Sequence, residues 1–186
     1  QKEKISPARA GWFVFLVWCT HVLIDCFTVY GTSVLWPFSE TRVAFNNLFI
    51  IDPLYTLPLL VSLVWLCFCR SKKLLNKRTR LLKWGLGIST GYVAITFALK
   101  FFISSAFHSD LVRREVAYLR RMEAPSAFNT LLWRSVVDRG DELWVGYRSV
   151  FESPSSPVRW TIYPRRADSL VGMENEREVE TIKWFS

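Results

Sequence analysis

Histidine is nearly absent from this 186-residue chain: His21 and His108 are the two it has. A catalytic centre built on three histidines therefore cannot come from this chain alone. The four cysteines, Cys19, Cys26, Cys67 and Cys69, lie in or beside apolar runs without C-x-x-C spacing, which argues against a zinc ribbon. Cys67 and Cys69 are too close for an easy disulfide, and small buried thiols commonly serve packing. There is no Gly-rich phosphate loop, no G-x-S-x-G elbow, no repeat and no low-complexity tract. Gly85, Gly87 and Gly91 lie inside an apolar run and read as small-residue packing positions. The chain opens on Gln1, with no initiator Met and no signal-type start, and reads as a fragment that has lost its N-terminus.

Acidic residues are scarce where the chain is most apolar. Residues 1–109 carry twelve Lys/Arg against four Asp/Glu, whereas residues 110–186 carry twelve of each. The whole positive excess thus sits in the apolar part, which favours a membrane-topological role; no nucleic-acid partner is expected, and membrane lipids are.

Hydrophobic residues make up 51% of the chain and aromatics 16%, with nine Trp and fourteen Phe, a composition that suits a membrane protein with aromatic belts. Three apolar segments, about 11–30, 50–69 and 84–107, approach the ~20 residues a helix needs to span a bilayer. Between the last two, Arg70 to Lys83 holds seven cations and no acid, the signature of a cytoplasmic loop. Residues 110–186 then fall on the opposite side. The expected fold is an α-helical membrane protein of about three transmembrane helices (residues 1–109) with a small soluble C-terminal α+β module, a β-meander (residues 110–186).

In that module Ser109-Asp110 reads as the cap of a helix to Met122, ended by Pro125. Strand-like runs follow at Asn129–Val137, Glu142–Phe151 and Val158–Tyr163, separated by Gly/Asp and Ser/Pro turns. Leu143, Val145, Tyr147 and Phe151 alternate onto one face, and Trp133, Tyr147 and Trp160 are expected to be at least partly covered. Glu174 to Phe185 reads as a short helix or amphipathic tail.

The residues with most chemical promise are His21 and Asp25, four apart and so on one helical face inside an apolar run. A carboxylate at bilayer depth costs roughly 2.5–3.5 kcal/mol on insertion scales. Imidazole and carboxylate together are ligands zinc and similar divalent metals accept, so His21 and Asp25 are the candidate metal ligands; a buried His–Asp contact is the structural alternative. Asp52, in Phe49-Ile-Ile-Asp-Pro-Leu-Tyr55, is a lone carboxylate in an apolar setting. It suits a helix N-cap before Pro53, a role compatible with a place at a metal site. His108 reads as an interfacial residue.

Three stretches also carry a resemblance. Thr20-His21 to Thr32, Leu35-Trp-Pro-Phe-Ser39 and Ile50-Ile-Asp-Pro-Leu-Tyr-Thr-Leu-Pro-Leu59 resemble the YdjM-like family of bacterial inner-membrane proteins, described as membrane-bound metal-dependent hydrolases. Asn129 to Arg134 and Val145 to Ser149 look like that family's C-terminal region. The resemblance implies a multi-pass protein of the bacterial inner membrane. It also implies a metal site using His21 and Asp25, with Asp52 close by as catalytic base or as the carboxylate that orients His21, and further ligands from an upstream segment. The implied function is metal-dependent hydrolysis, and a site near the membrane face points to a lipid or cell-envelope ester or phosphoester as the substrate. Two other classes compete with it: a structural or partner-binding membrane protein in which His21–Asp25 is a buried polar contact, and a transporter using Asp25, Asp52 and Lys100. Three spans without inverted repeats are few for the latter.

Overall fold

The computed structural model describes residues 5–68 and 75–165; Cys69, the start of the basic loop (residues 70–74) and the tail expected over 174–185 lie outside them. The chain forms α1 (Pro7–Asp25), α2 (Pro53–Phe68), α3 (Leu75–Arg113) and four strands: β1 (Arg120–Pro125), β2 (Leu132–Asp138), β3 (Glu142–Ser149) and β4 (Trp160–Pro164). The strands form one antiparallel sheet in the order β1-β2-β3-β4, so each pairs with its neighbour in sequence.

Helix starts follow local chemistry. Ser6 caps α1 by accepting the Arg9 N–H, with Pro7 in the first turn, where its missing N–H costs nothing. Asp52 caps α2: Oδ1 accepts the Leu54 N–H at 2.9 Å, ahead of Pro53. Among the described residues two helices, α1 and α3, are long and apolar enough to cross a membrane. Helix α2 is apolar but has 16 residues, about 24 Å at 1.5 Å per residue, less than the ~30 Å hydrocarbon core.

Helices α2 and α3 run antiparallel, as their hydrogen bonds show: Ser62 meets Leu81 O, Ser89 meets Tyr55 O, and Tyr92 meets Asp52. Gly85 permits this approach, since a Cβ there would run into Ser62 and lie 3.0 Å from Pro58 O. Gly87 and Gly91 have open space instead, so of the three glycines read as packing positions the structure uses Gly85.

The C-terminal half of α3 carries the sheet. Ile103 and Phe107 form a buried cluster with Trp133 and Val158, flanked by Leu99, Val150 and Trp160. The boundary drawn at residue 109 falls inside α3, which continues to Arg113. The helix expected as far as Met122 ends there too, and Arg120–Pro125 pairs with β2 as a strand. The stop is a Schellman motif: Glu115 turns left-handed (φ 55°), Glu115 N–H reaches Val112 O and Val116 N–H reaches Leu111 O, both at 3.0 Å. The three expected strand runs appear as β2, β3 and β4. Trp133 is fully buried and Trp160 half-buried, but Tyr147 is 52% exposed. Its face of β3 looks away from α3, because the inner register pairs Trp133 with Arg148 and Ser135 with Gly146.

Candidate functional site

His21 and Asp25 occupy one face of the last turn and a half of α1, with Nε2 and Oδ2 3.6 Å apart. That separation exceeds a hydrogen bond. Their side chains are 74% and 41% exposed, and neither makes a further side-chain hydrogen bond among the described residues. The contact is therefore not buried within the chain, which corrects the structural alternative in its intramolecular form. None of the residues of α1 is buried. Among the described residues no group of three or more His, Cys, Asp or Glu side chains could hold a metal ion, and His21 and Asp25 by themselves bring two donor groups together.

Asp52 is in a different environment. It is 2% exposed; beyond the cap through Oδ1, its Oδ2 accepts the Tyr92 hydroxyl at 2.8 Å. Thr130, 1% exposed, lies 2.8 Å from the same hydroxyl. Since Tyr92 donates to the carboxylate, Thr130 donates to Tyr92. This chain of three residues joins the start of α2, the middle of α3 and the β1–β2 connection. Thr130 also offers its carbonyl to Trp133 Nε1 at 2.8 Å, linking the polar chain to the core. Sequence reasoning found Asp52 and missed Tyr92 and Thr130, which lie 40 and 78 positions away; only the fold brings them together.

The segment between α1 and α2 is held against α3 by the same logic. Asn47 donates to Thr96 Oγ1 at 2.8 Å, Lys100 Nζ donates to Phe45 O, and Phe27, Phe45 and Phe97 stack with ring centroids 5.5–5.7 Å apart. Backbone bonds from Asn47 and Leu48 to Phe27 O, at 3.0 Å each, tie its two ends together. His108 is exposed, with Nδ1 3.4 Å from the Tyr118 hydroxyl.

Where this segment meets the sheet there is a cleft of about 460 Å³, lined by Val29, Tyr30, Phe49, Ile50, residues 124–127, Arg134 and Tyr147. Arg134 sits between Ala124 and Tyr147 in the strand register.

Two further carboxylates are saturated. Asp110, on α3, accepts from Arg114 Nε (2.8 Å), Trp160 Nε1 (2.9 Å), Arg113 (3.2 Å) and the Val158 N–H (3.3 Å). Glu123, on β1, pairs with Arg121 at 2.6 Å and accepts from Ser104 at 3.2 Å. Both dock the sheet onto α3.

No curated protein and no solved structure matches the chain. A family model does, over residues 2–103: the YdjM inner membrane protein family. The match takes in α1, α2, the segment joining them and most of α3, and stops short of the sheet. With more than half its length matched, and with two helices apolar enough to cross a bilayer, this chain belongs to the YdjM family of inner membrane proteins.

Proposed function

We propose that the chain is part of a multi-pass inner-membrane enzyme that hydrolyses a lipid or cell-envelope ester or phosphoester, using a divalent metal ion, zinc or similar, held in part by His21 and Asp25. One observation carries this reading. The 3.6 Å between Nε2 and Oδ2 is too long for a hydrogen bond, yet close to the ~3.4 Å that separates two tetrahedral ligands each about 2.05 Å from an ion. The remaining ligands are supplied from outside the described residues. The ion would contribute Lewis-acid polarisation of the substrate and acidify a water. His21 and Asp25 bind and orient it, and the charge of Asp25 offsets part of the ion's own. Both oxygens of Asp52 are already engaged, which supports a positioning role through Tyr92 over direct proton abstraction.

The test is metal content of the purified full-length protein, wild type against His21→Ala and Asp25→Asn, together with hydrolysis of a chromogenic ester and phosphodiester. We expect bound metal in the wild type and a loss of at least roughly tenfold in affinity in either variant. Unchanged metal in both variants would end the reading. A specific observation favours a second one, a partner-binding membrane protein: α1 buries none of its residues against the described residues of this chain. In that case His21 and Asp25 face another transmembrane helix, and the variants lose the partner without changing metal content.

A further inference from the structure

We propose that the cleft between the α1–α2 segment and the outer face of the sheet binds the phosphate headgroup and upper acyl chain of an anionic phospholipid, with Arg134 as the counter-ion. Its volume, about 460 Å³, falls in the range of small-molecule sites, roughly 300–1,000 Å³. The walls are of two kinds. Val29, Phe49, Ile50 and Pro125 are apolar, whereas Arg134, Ser126 and Tyr147 bring a cation and hydroxyls.

Three features of those polar groups point to an anion. Arg134 makes no hydrogen bond or ion pair among the described residues, although Arg113, Arg114, Arg121, Arg139 and Arg165 each pair with a carboxylate. Ser126 Oγ is shielded from solvent and has no hydrogen-bond partner there, a state that costs free energy unless a ligand relieves it. Among the described residues no acidic side chain lines the cleft to oppose an anion. A guanidinium matches phosphate geometry with two parallel N–H donors.

Position decides for a lipid over a free anion. Val29 and Tyr30 follow the end of α1, and Phe49 and Ile50 precede the start of α2. The cleft thus opens at the ends of two apolar helices, the level at which acyl chains give way to headgroups. A bare phosphate would leave the apolar walls wet. The proposal requires neither metal nor hydrolysis, so it stands or falls separately from the enzymatic reading.

The experiment uses the full-length protein in a neutral detergent with chelator present, and measures binding of dioctanoyl phosphatidic acid by native mass spectrometry. Dioctanoyl phosphatidylcholine and inorganic phosphate are the comparators. Saturable one-to-one binding of phosphatidic acid is expected, weakened roughly tenfold or more by Arg134→Gln and about two- to fivefold by Ser126→Ala. Ile50→Trp, which fills the apolar end, should block the lipid while leaving weak phosphate binding intact. Since Arg134 and Ile50 are exposed, neither substitution threatens the fold. Unchanged affinity in Arg134→Gln, equal binding of phosphatidylcholine, or displacement of the lipid by inorganic phosphate at equal concentration would each overturn the proposal.

Discussion

Helices α1 and α3 are both long and apolar, yet they treat their polar residues in opposite ways. Along α3, one face carries Ser89, Tyr92, Thr96, Ser104 and Asp110, and each has a partner: Tyr55 O, Asp52, Asn47, Glu123 and the Trp160 indole respectively. Those contacts fasten α2, the α1–α2 segment and the sheet to a single rod. Along α1, His21 and Asp25 have only each other among the described residues, at a distance that is not a hydrogen bond. The difference separates polar groups that build the fold from polar groups left over. A carboxylate already saturated within its own chain has no need of a ligand. One that is not must meet water, a headgroup, an ion or another chain.

The strongest way to break this contrast is to remove a saturated group. Asp110→Ala leaves Arg114, the Trp160 indole and the Val158 N–H without their shared acceptor beneath the sheet. Arg114 is part exposed and can turn to water, but the Val158 N–H and the Trp160 indole are left short of an acceptor, at roughly 1–3 kcal/mol each, and we expect a loss of about 2–5 kcal/mol in denaturant unfolding of the protein in mixed micelles. Hydrogen exchange should locate it, with amides of β4 losing protection first and those of α1 unchanged. Equal loss across both regions would mean that the sheet and α1 are coupled in a way the contacts do not show.

Next in size is Tyr92→Phe. It removes the hydroxyl between Asp52 and Thr130, leaving two buried groups short of a bond, at a cost of roughly 1–3 kcal/mol. A double-mutant cycle with Thr130→Val should show that the two changes are not additive, because they share one bond. Additive losses would show that Thr130 is held by other contacts.

These contacts also mark where the sequence was readable. The apolar runs, the Asp52–Pro53 helix start and three of the strands follow from local chemistry: composition, a cap, alternation between turns. Gly85 as a close-approach residue was legible too, though nothing local separated it from Gly87 and Gly91. The length of α3 was not legible, because Ser109-Asp110 has the form of a helix start. In the fold Asp110 spends its carboxylate on Arg114 and Trp160 instead of capping. Strand β1 was hidden as well: Arg120 to Met122 reads as the end of the helix begun at Asp110 until β2 and Ser104 give Arg121 and Glu123 an inward side. Of the candidate sites, the His21–Asp25 face was readable from spacing alone. The Asp52–Tyr92–Thr130 chain and the Arg134 cleft were not, since each draws on segments tens of residues apart.

A smaller effect tests the end of α3. Glu115 is exposed and holds a left-handed conformation that costs a side-chain-bearing residue about 1 kcal/mol. Glu115→Gly should therefore stabilise the α3–sheet unit by roughly 0.5–1 kcal/mol, less the extra chain entropy glycine gives the unfolded state. A destabilisation would mean that the Glu115 side chain contributes more than the turn requires.

The smallest expected effect is the most telling for α1. His21→Ala removes a side chain that is 74% exposed and makes no hydrogen bond among the described residues. Surface substitutions of this kind usually lie within about ±0.5 kcal/mol, so unfolding of the metal-free protein should be nearly unchanged. The same variant studied with metal added sharpens the contrast. If His21 and Asp25 are metal ligands, the wild type gains stability in proportion to the logarithm of metal concentration, and the variant does not. If they instead face a partner helix, the variant is destabilised without metal, and the loss depends on protein concentration. These two patterns exclude one another, and the one seen decides whether the unpaired groups of α1 are reserved for an ion or for another chain.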